Sequence, residues 1–296
     1  MMTTRAFEDR IETALERMGP VKQAGMRVAQ AVHGAVMRDE RARRIADVLH
    51  GTWLGHPLHA VLTDVTLGAW ALAGAFDAIG ELTDSDSARR TGDTLTGIGS
   101  AAALPTALTG MTDYSTIPQP SATAGTLHGA LNTINLSLYL LSLRDRRRGN
   151  RRRALLFSSL ALGLTGVSAW LGGHLVYKRK VGVDHSDAFS GPQDWTPVLA
   201  VDALGDREPK RIELEGQGVL LFREGNDVYA IGAVCAHAGG PLDEGAFHDT
   251  SVQCPWHDSV FSLRDGHIVH GPATQPQPVF DARIRDGQVE LRLRQD

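Results

Sequence analysis

The chain has 296 residues, of which 42% are hydrophobic and 22% are charged, and its formal net charge is -4 at pH 7. This balance shows no basic excess of the kind that nucleic-acid-binding proteins use, so nucleic acid is not an expected partner. The two cysteines are too few for a disulfide framework. Apolar residues concentrate between about residues 56 and 177, so we expect several domains rather than one.

Residues 1–50 form a polar first segment of mixed charge. Apolar residues recur there at helical spacing around 11–15, 28–32 and 45–49. A Gly-Pro pair at 19–20 would separate the first helix from the second. The pattern predicts an amphipathic helical extension, which could lie on a membrane surface or remain solvated.

Residues 51–180 contain four stretches rich in Ala, Leu, Gly and Thr, at 58–79, 95–108, 127–143 and 154–176. Two of them have about the twenty residues that a helix needs to cross a bilayer. A soluble bundle with an alanine-rich core is the alternative. Small residues are typical of helices packed in lipid, however, and the arginines of 144–153 look like an interfacial charge cluster. We therefore expect an all-α four-helix transmembrane bundle in a bacterial plasma membrane.

Polar residues of these stretches share one end of the expected bundle. In an up-down-up-down arrangement, the starts of odd helices and the ends of even helices lie on the same side. Five ionisable residues occupy those places: His56, His59, Asp113, His128 and His174. Such residues are costly near lipid and so indicate a functional site. Two histidines could ligate haem b, or the set could bind a metal ion or a quinone. Helix capping and hydrogen bonding are the structural alternative.

After an expected linker at 181–195, residues 196–296 have an all-β pattern. Short runs rich in apolar and β-branched residues are separated by Gly, Asp and Asn, and they lie at 218–222, 227–231, 251–253, 260–263 and 289–293. About a hundred residues suffice for one small sandwich or barrel. The expected fold class is thus multidomain, with a helical bundle followed by an all-β domain.

Each of the two cysteines stands close to a histidine, as Cys235-x-His237 and Cys254-x-x-His257. Two sulfide-bridged irons need four protein ligands, and two loops that each offer one thiolate and one imidazole meet that need. One iron would take both sulfurs and the other both nitrogens. A structural zinc site is the rival, but zinc fingers place their cysteines in one knuckle and their histidines in another. The spacing therefore favours a [2Fe-2S] cluster.

The segments CAHAGGPL at 235–242 and CPWHDSVF at 254–261 closely resemble the Rieske ferredoxin family. The resemblance implies that the cysteines and histidines named above ligate the cluster and that the domain transfers electrons. High-potential Rieske proteins resemble one another in having a further cysteine in each loop and a tyrosine near the cluster. This chain has no further cysteine, Phe261 stands at the tyrosine position, and Ser259 stands at a matching serine. Fewer hydrogen bonds to sulfur imply a potential toward the low end of the Rieske range.

Residues from about 50 to 180 resemble a little-characterised bacterial four-helix membrane domain that occurs alone and joined to Rieske domains. The segments that carry this resemblance begin at His56, Thr109, His128 and Gly172. The resemblance implies an architecture but brings no activity. Only about forty residues follow His257, too few for the second catalytic domain of an oxygenase. The chain is therefore expected to be an electron carrier or oxidoreductase component rather than a stand-alone enzyme.

Together these features predict a membrane-bound carrier that passes single electrons to or from a membrane redox site, with haem b or a quinone, or a soluble oxidoreductase partner. An iron-sulfur redox sensor that controls the membrane domain is the alternative. Positive charge is nearly equal on the two sides of the bundle, and the Arg-Arg pair at 43–44 lacks an export signal around it. We therefore expect a cytoplasmic Rieske domain. The donor, the acceptor and any homo-oligomer stay open.

Overall fold

A computed structural model describes residues 4–186 and 190–294, with side chains from Arg10 onward. The chain divides into two compact units. The first is helical and contains the chain up to Arg38 together with Leu58–Val181. The second contains Asp39–Pro57 and the chain from Gly182 onward. The segment Leu58–Val181 is therefore an insertion in the second unit. The domain boundary expected at residue 50 does not coincide with this division. Residues 187–189 of the expected linker, and the chain ends at 1–3 and 295–296, lie outside the described residues.

Helices of the first unit begin with α1 (Thr4–Glu16) and α2 (Gly19–Val36). The break between them falls at the predicted Gly-Pro pair, because proline is well tolerated in the first turn of a helix. The next helix, α3 (Glu40–His50), belongs to the second unit. The long helices are α4 (Leu58–Thr83), α5 (Asp86–Tyr114), α6 (Ala122–Arg147) and α7 (Arg151–Gly173). A π-helical turn, His174–Lys178, continues α7.

The long helices form two hairpins, α4 with α5 and α6 with α7. Helices α4, α5 and α6 are longer than their apolar stretches predicted, and α7 is longer once its π-helical turn is included. Helix α5, for example, begins nine residues earlier, where the Ser85 side chain accepts a hydrogen bond from Ala88 N at 3.3 Å. By length and composition, the described residues include two candidate membrane spans, α4 and Arg151–Lys178. The expectation of four spans is not confirmed by this measure, because α5 and α6 are more polar.

Polar side chains face the interior of these hairpins, and large apolar side chains face outward. Buried polar residues include Thr66, Thr96, Ser100, Thr106, Asn135, Ser142, Ser158, Thr165 and Ser168. Most of the hydroxyls are satisfied by a carbonyl four residues earlier in the same helix. Exposed apolar residues include Leu72, Leu82, Leu104, Leu108, Leu140, Leu156, Leu160 and Trp170. This distribution is the reverse of that in a soluble bundle.

The two hairpins are built alike. Near the start of α4, His59 Nδ1 donates to the carbonyl oxygen of Thr106 in α5 at 2.9 Å. Near the start of α6, His128 Nδ1 donates to the carbonyl oxygen of Ser168 in α7 at 3.0 Å. Each histidine ring also lies against a glycine one turn beyond its acceptor, where a Cβ atom would come within 3.1 Å of the ring or closer.

Equivalent residues of the two hairpins also contact each other. Trp70 of α4 stacks on Tyr139 of α6, with ring centroids 4.1 Å apart. Asp77 of α4 forms a two-point ion pair with Arg146 of α6, and the two are 69 residues apart in sequence. Trp70 and Tyr139 are also 69 residues apart in sequence, and so are His59 and His128. Contacts between a residue and its own equivalent lie on a two-fold axis. The long helices therefore form a duplicated hairpin with pseudo-two-fold symmetry.

Asp77 and Arg146 lie at the centre of an ion-pair network, and their side chains are 7% and 3% exposed. Arg151 donates to Asp77 at 2.7 Å and to Asp93 at 2.7 Å. Arg146 also binds Asp93. Two arginines of the segment expected to be an interfacial charge cluster thus turn inward and join the helices to one another.

Asp77→Asn should destabilise the helical unit by about 3 kcal/mol, because a nearly buried guanidinium loses a charged partner. The measurement is the loss of helical circular dichroism with denaturant in detergent. Asp86→Asn is the control, because that carboxylate is 77% exposed and, among the described residues, its ion pair is with Arg89 on its own helix. Equal effects of the two substitutions would contradict a structural role for the network.

The second unit carries two antiparallel sheets. Its strands are β1 (Thr196–Ala200), β2 (Lys210–Leu214), β3 (Gln217–Glu224), β4 (Asp227–Gly232), β5 (Ala246–His248), β6 (Ser251–Gln253), β7 (Val260–Ser262), β8 (Ile268–His270), β9 (Val279–Arg285) and β10 (Gln288–Leu293). The larger sheet has the order β1-β10-β9-β4-β3-β2, and the smaller sheet has the order β5-β6-β7-β8. The β class was predicted correctly, and the runs named from the sequence correspond to β3, β4, β6, β7 and β10.

Candidate metal centre

The first ligand loop, residues 235–240, follows β4 and closes on itself. Cys235 N donates to Gly240 O at 2.8 Å, and Gly239 N donates back to Cys235 O at 2.8 Å. Gly239 has a φ of +77°, a backbone conformation that favours glycine. The predicted Gly-Gly-Pro turn therefore reverses the chain immediately after the histidine.

The second ligand loop, residues 254–259, joins β6 to β7 and closes in a similar way. Cys254 N donates to Ser259 O at 2.8 Å, and Asp258 N donates to Cys254 O at 3.2 Å. Strands β6 and β7 are paired directly before and after the loop. The sheet thus fixes both ends of the loop, and the cysteine and histidine must project from its turn.

The four candidate ligands form a sulfur pair and a nitrogen pair. The Sγ atoms of Cys235 and Cys254 are hydrogen-bonded to each other, and both residues are buried. The rings of His237 and His257 are 5.0 Å apart between centroids and nearly perpendicular, at 83°. Both histidines are half-buried, and the adjoining Trp256 is 56% exposed. The sulfurs therefore face the core, and the imidazoles lie toward the surface.

Backbone amides of both ligand loops point at the sulfurs. The N–H groups of His237 and Ala238 donate to the sulfur of Cys235. Two N–H groups of the second ligand loop, at positions 256 and 257, donate to the sulfur of Cys254. Hydrogen bonds of this kind stabilise a thiolate relative to a thiol. The loops thus provide partial positive charge where negative sulfur is needed.

The protonation of the candidate ligands follows from this arrangement. The hydrogen bond between the two sulfurs raises the pKa of Cys235 well above its ordinary value, and burial adds to the rise. The same hydrogen bond lowers the pKa of Cys254 to about 7. Burial, together with the neighbouring His257, holds the pKa of His237 well below its usual range. One thiolate and a neutral imidazole are therefore available to bind a metal at neutral pH.

These residues fit a [2Fe-2S] cluster. The Nδ1 atom of His237 is buried and has no hydrogen-bond partner, which is costly unless a ligand uses its lone pair. A Cβ atom on Gly240 would lie 2.8 Å from the sulfur of Cys254, so only glycine leaves room there. Among the described residues, no three His, Cys, Asp or Glu side chains converge on one point as a single metal ion would require. Two separate donor pairs suit a binuclear group instead.

A third loop, residues 271–277, braces both ligand loops. Ala273 N donates to Ser259 Oγ at 3.0 Å. The buried Gln277 amide, oriented with its nitrogen toward Val234, donates to Val234 O at 3.0 Å and accepts from Ala236 N at 2.7 Å. Sequence reasoning missed Gln277, because no local pattern distinguishes it from a surface glutamine.

Ser259 and Phe261, both expected near the cluster, are fully buried. Phe261 belongs to the same hydrophobic core as the two cysteines, with Leu220 and Val252. The aromatic ring thus packs behind the ligand loops.

Of the five ionisable residues expected in the helical site, His59 and His128 occupy equivalent positions in the two hairpins. The Nε2 atom of His128 also accepts a hydrogen bond from Asn132 Nδ2 at 3.0 Å. Among the described residues, the imidazole ring of His59 has no hydrogen bond besides that to Thr106. Each ring therefore binds a carbonyl of the other helix of its hairpin through Nδ1, and only the His128 ring has a further partner at Nε2.

The other three expected residues have different surroundings. His174 Nε2 lies 3.0 Å from Glu12 Oε1, so this imidazole faces a carboxylate of α1. Asp113 lies in the last turn of α5. His56 belongs to the second unit rather than to the helical one, and it is exposed. Helix direction alone placed these residues together, but it could not show which of them already had partners.

The comparisons with known proteins agree with this site. The ferredoxin subunit of anthranilate 1,2-dioxygenase from Burkholderia cepacia is 33% identical over 100 residues, which are 34% of this chain and 93% of that protein. Ferredoxin CarAc from Metapseudomonas resinovorans is 29% identical over 98 residues, or 33% of this chain and 92% of that protein. Among solved structures, the ferredoxin of carbazole 1,9a-dioxygenase from Nocardioides aromaticivorans IC177 is 28% identical, with a TM-score of 0.33, and the match covers 34% of this chain and 98% of that one.

Fold and site thus define an iron-sulfur domain of the ferredoxin type. Residues 194–281 match the Rieske [2Fe-2S] domain, and residues 55–185 match the predicted membrane protein family DUF2231. The chain belongs to the Rieske family through its C-terminal domain, which is joined to a DUF2231 domain. Both resemblances expected from the sequence are confirmed.

Gly240→Ala should lower the iron and sulfide bound per chain, because the added methyl group would displace the Cys254 sulfur. Visible absorbance and metal analysis of the purified protein measure the effect. Gly34→Ala is the matched control, since a Cβ atom there meets nothing within 4 Å. Full cluster occupancy in Gly240→Ala would show that the close approach is not required.

Proposed function

We propose that this chain is a membrane-bound electron carrier. Its C-terminal domain holds one [2Fe-2S] cluster through Cys235, His237, Cys254 and His257. The observation that carries the proposal is the meeting of a thiol pair and an imidazole pair on two self-closed loops. The similarity to proteins named as ferredoxin subunits of dioxygenases supports it. A redox partner protein that exchanges single electrons with the domain is the expected counterpart.

The chain's own residues have distinct roles in this proposal. Both cysteines would bind one iron and both histidines the other, and the bound cluster supplies a one-electron change. The amides of the ligand loops offset the negative charge of the sulfurs. Phe261 and its neighbours exclude water from the sulfur side. The half-buried His257, beside the exposed Trp256, would offer a way out for an electron.

The outer surface of the helical unit supports a membrane location. Exposed leucines, isoleucines and valines occur on all four long helices, whereas the small polar residues face inward. Contiguous apolar surface of this kind is unfavourable in water and favourable in lipid. We propose that α4, α5, α6 and α7 all cross the plasma membrane of a bacterium. We place the Rieske domain in the cytoplasm, since the arginines at 43–44 lack an export signal. Association of identical chains through the apolar surface would be the alternative way to cover it.

A second redox group in the helical unit is favoured by one observation. His59 and His128 each donate Nδ1–H to a carbonyl, which makes Nε2 the acceptor in both rings. The Nε2 atom of His128 already accepts from Asn132, whereas that of His59 has no partner among the described residues. Ligand histidines are commonly oriented by such a bond. A haem b or a quinone bound there would receive or supply the electrons of the cluster. Without such a group, the cluster would instead act as a redox sensor for the membrane domain.

Membranes washed with alkaline carbonate should retain the chain and, after reduction, show the paramagnetic signal of a Rieske cluster, with about two irons per chain. Cys254→Ser should remain in the membrane fraction but lose the signal, because it removes one sulfur ligand. Release by carbonate would refute the membrane location. A colourless protein with stoichiometric zinc would refute the cluster.

Protein purified in mild detergent should contain haem or an extractable quinone, and His59→Ala should lose it because one Nε2 ligand or acceptor is removed. A reduced-minus-oxidised spectrum and solvent extraction detect the two groups. His56→Ala is the control, since that side chain is exposed and lies outside the helical unit. If neither group is found in the parent protein, the helical unit has no redox role and the sensor alternative is favoured.

A further inference from the structure

Residues 39–57 precede the helical insertion and pack on the β domain; we call this segment the strap. Helix α3 forms its first part and begins at Asp39, whose side chain accepts a hydrogen bond from Ala42 N at 2.9 Å. It ends at Gly51, which has a φ of +85° as a left-handed helix cap requires. The strap is thus a defined structural element with its own helix signals.

The strap binds the start of the third loop through one carboxylate. Asp47 Oδ1 accepts a hydrogen bond from Gly271 N at 2.8 Å, and Asp47 Oδ2 lies 2.9 Å from His270 Nδ1. Glu40 Oε2 lies 3.6 Å from the other ring nitrogen of His270, and Glu40 is more exposed. Asp47 is therefore the closer of the two carboxylates and the one that binds the loop backbone.

Close packing reinforces this carboxylate contact. A Cβ atom on Gly271 would lie 2.9 Å from Thr52 Cγ2 and 3.6 Å from His50 Cδ2. The side-chain amide of Gln275 donates to the carbonyl oxygen of Gly55. The strap and the third loop thus fit together along much of their lengths, so a change on either side should disturb the other.

The third loop transmits this contact to both ligand loops. Its residue Ala273 binds the hydroxyl of Ser259, whose carbonyl oxygen accepts from the N–H of Cys254. Its residue Gln277 bonds the backbone on both sides of Cys235.

We propose that the strap is a built-in brace of the cluster site and that Asp47 is a positioning residue, which holds the third loop and through it both ligand loops. This inference rests on the proposed function. A fixed carboxylate that braces the ligand loops also adds negative charge to their surroundings and so opposes the gain of an electron, which should lower the reduction potential. The strap, which leads into the helical insertion, is therefore part of the redox centre.

The test uses the full chain with its cluster and compares Asp47→Asn with Asp47→Ala. Asparagine keeps an acceptor for Gly271 N but removes the charge, whereas alanine removes both. At a fixed potential, both variants should raise the ratio of reduced to oxidised cluster, by about tenfold or less, tenfold being about 59 mV for one electron. Asp47→Ala alone should also shift and broaden the paramagnetic signal, because the ligand loops lose their brace.

Glu40→Gln is the matched control, because it removes an equal charge from the same helix without touching the loop backbone. It should leave the signal shape unchanged and change the potential less than Asp47→Asn does, because Glu40 is 54% exposed and Asp47 is 19% exposed. If Asp47→Ala changed the signal shape and the potential no more than Glu40→Gln does, the inference would be overturned. If the parent protein itself lacks the Rieske signal, the proposed function fails instead, so the two failures are distinguishable.

A second pair of variants tests the same contact from the other side and guards against a strap that fails to fold. Gly271→Ala should push the strap away and reproduce the spectral change of Asp47→Ala. Adding Thr52→Ser removes the methyl group that the new Cβ would meet, while the hydroxyl can still bond Asp47 O. The double variant should recover the parent signal. A normal signal in Gly271→Ala alone would contradict the proposed fit.

Discussion

The central constraint in this protein is that two loops, each closed by a hydrogen bond from the N–H of its own cysteine, must bring two sulfurs into contact. Cys235 and Cys254 are buried side by side, so their shared proton and the surrounding amides already stabilise a thiolate. A displacement of one loop would separate the sulfurs and expose the core behind them. The third loop and the strap stabilise the site because they hold the ligand loops in place.

A different constraint organises the helical unit. Its halves repeat one hairpin, and the contacts on the pseudo-axis join a residue with its own equivalent, as Trp70 with Tyr139 and Asp77 with Arg146. Duplication lets equivalent positions diverge into complementary ones, here an acid and a base. Small and hydroxylated residues in the interior allow close approach of the helices, and the large apolar side chains are left for the surroundings.

The Leu58–Val181 part of the helical unit is inserted between residues 57 and 182 of the unit that holds the cluster. Both segments that adjoin the insertion belong to the unit that holds the cluster. The strap binds the third loop, and on the far side of the insertion His185 N donates to Ala236 O of the first ligand loop at 2.9 Å. The redox centre is therefore built from more of the chain than the Rieske similarity at residues 194–281 covers.

The sequence by itself determined the features that depend on neighbours in the chain: the ligand spacing, the turn glycines, the break before Pro20 and the presence of long apolar helices. It also predicted the class of both domains. Only the tertiary structure decided that Asp47 binds His270 and Gly271, which are 223 and 224 residues away. The same holds for Gln277 and for the inward turn of Arg146. Periodicity and motif spacing describe one segment at a time, whereas these contacts join segments whose approach depends on how the whole chain packs.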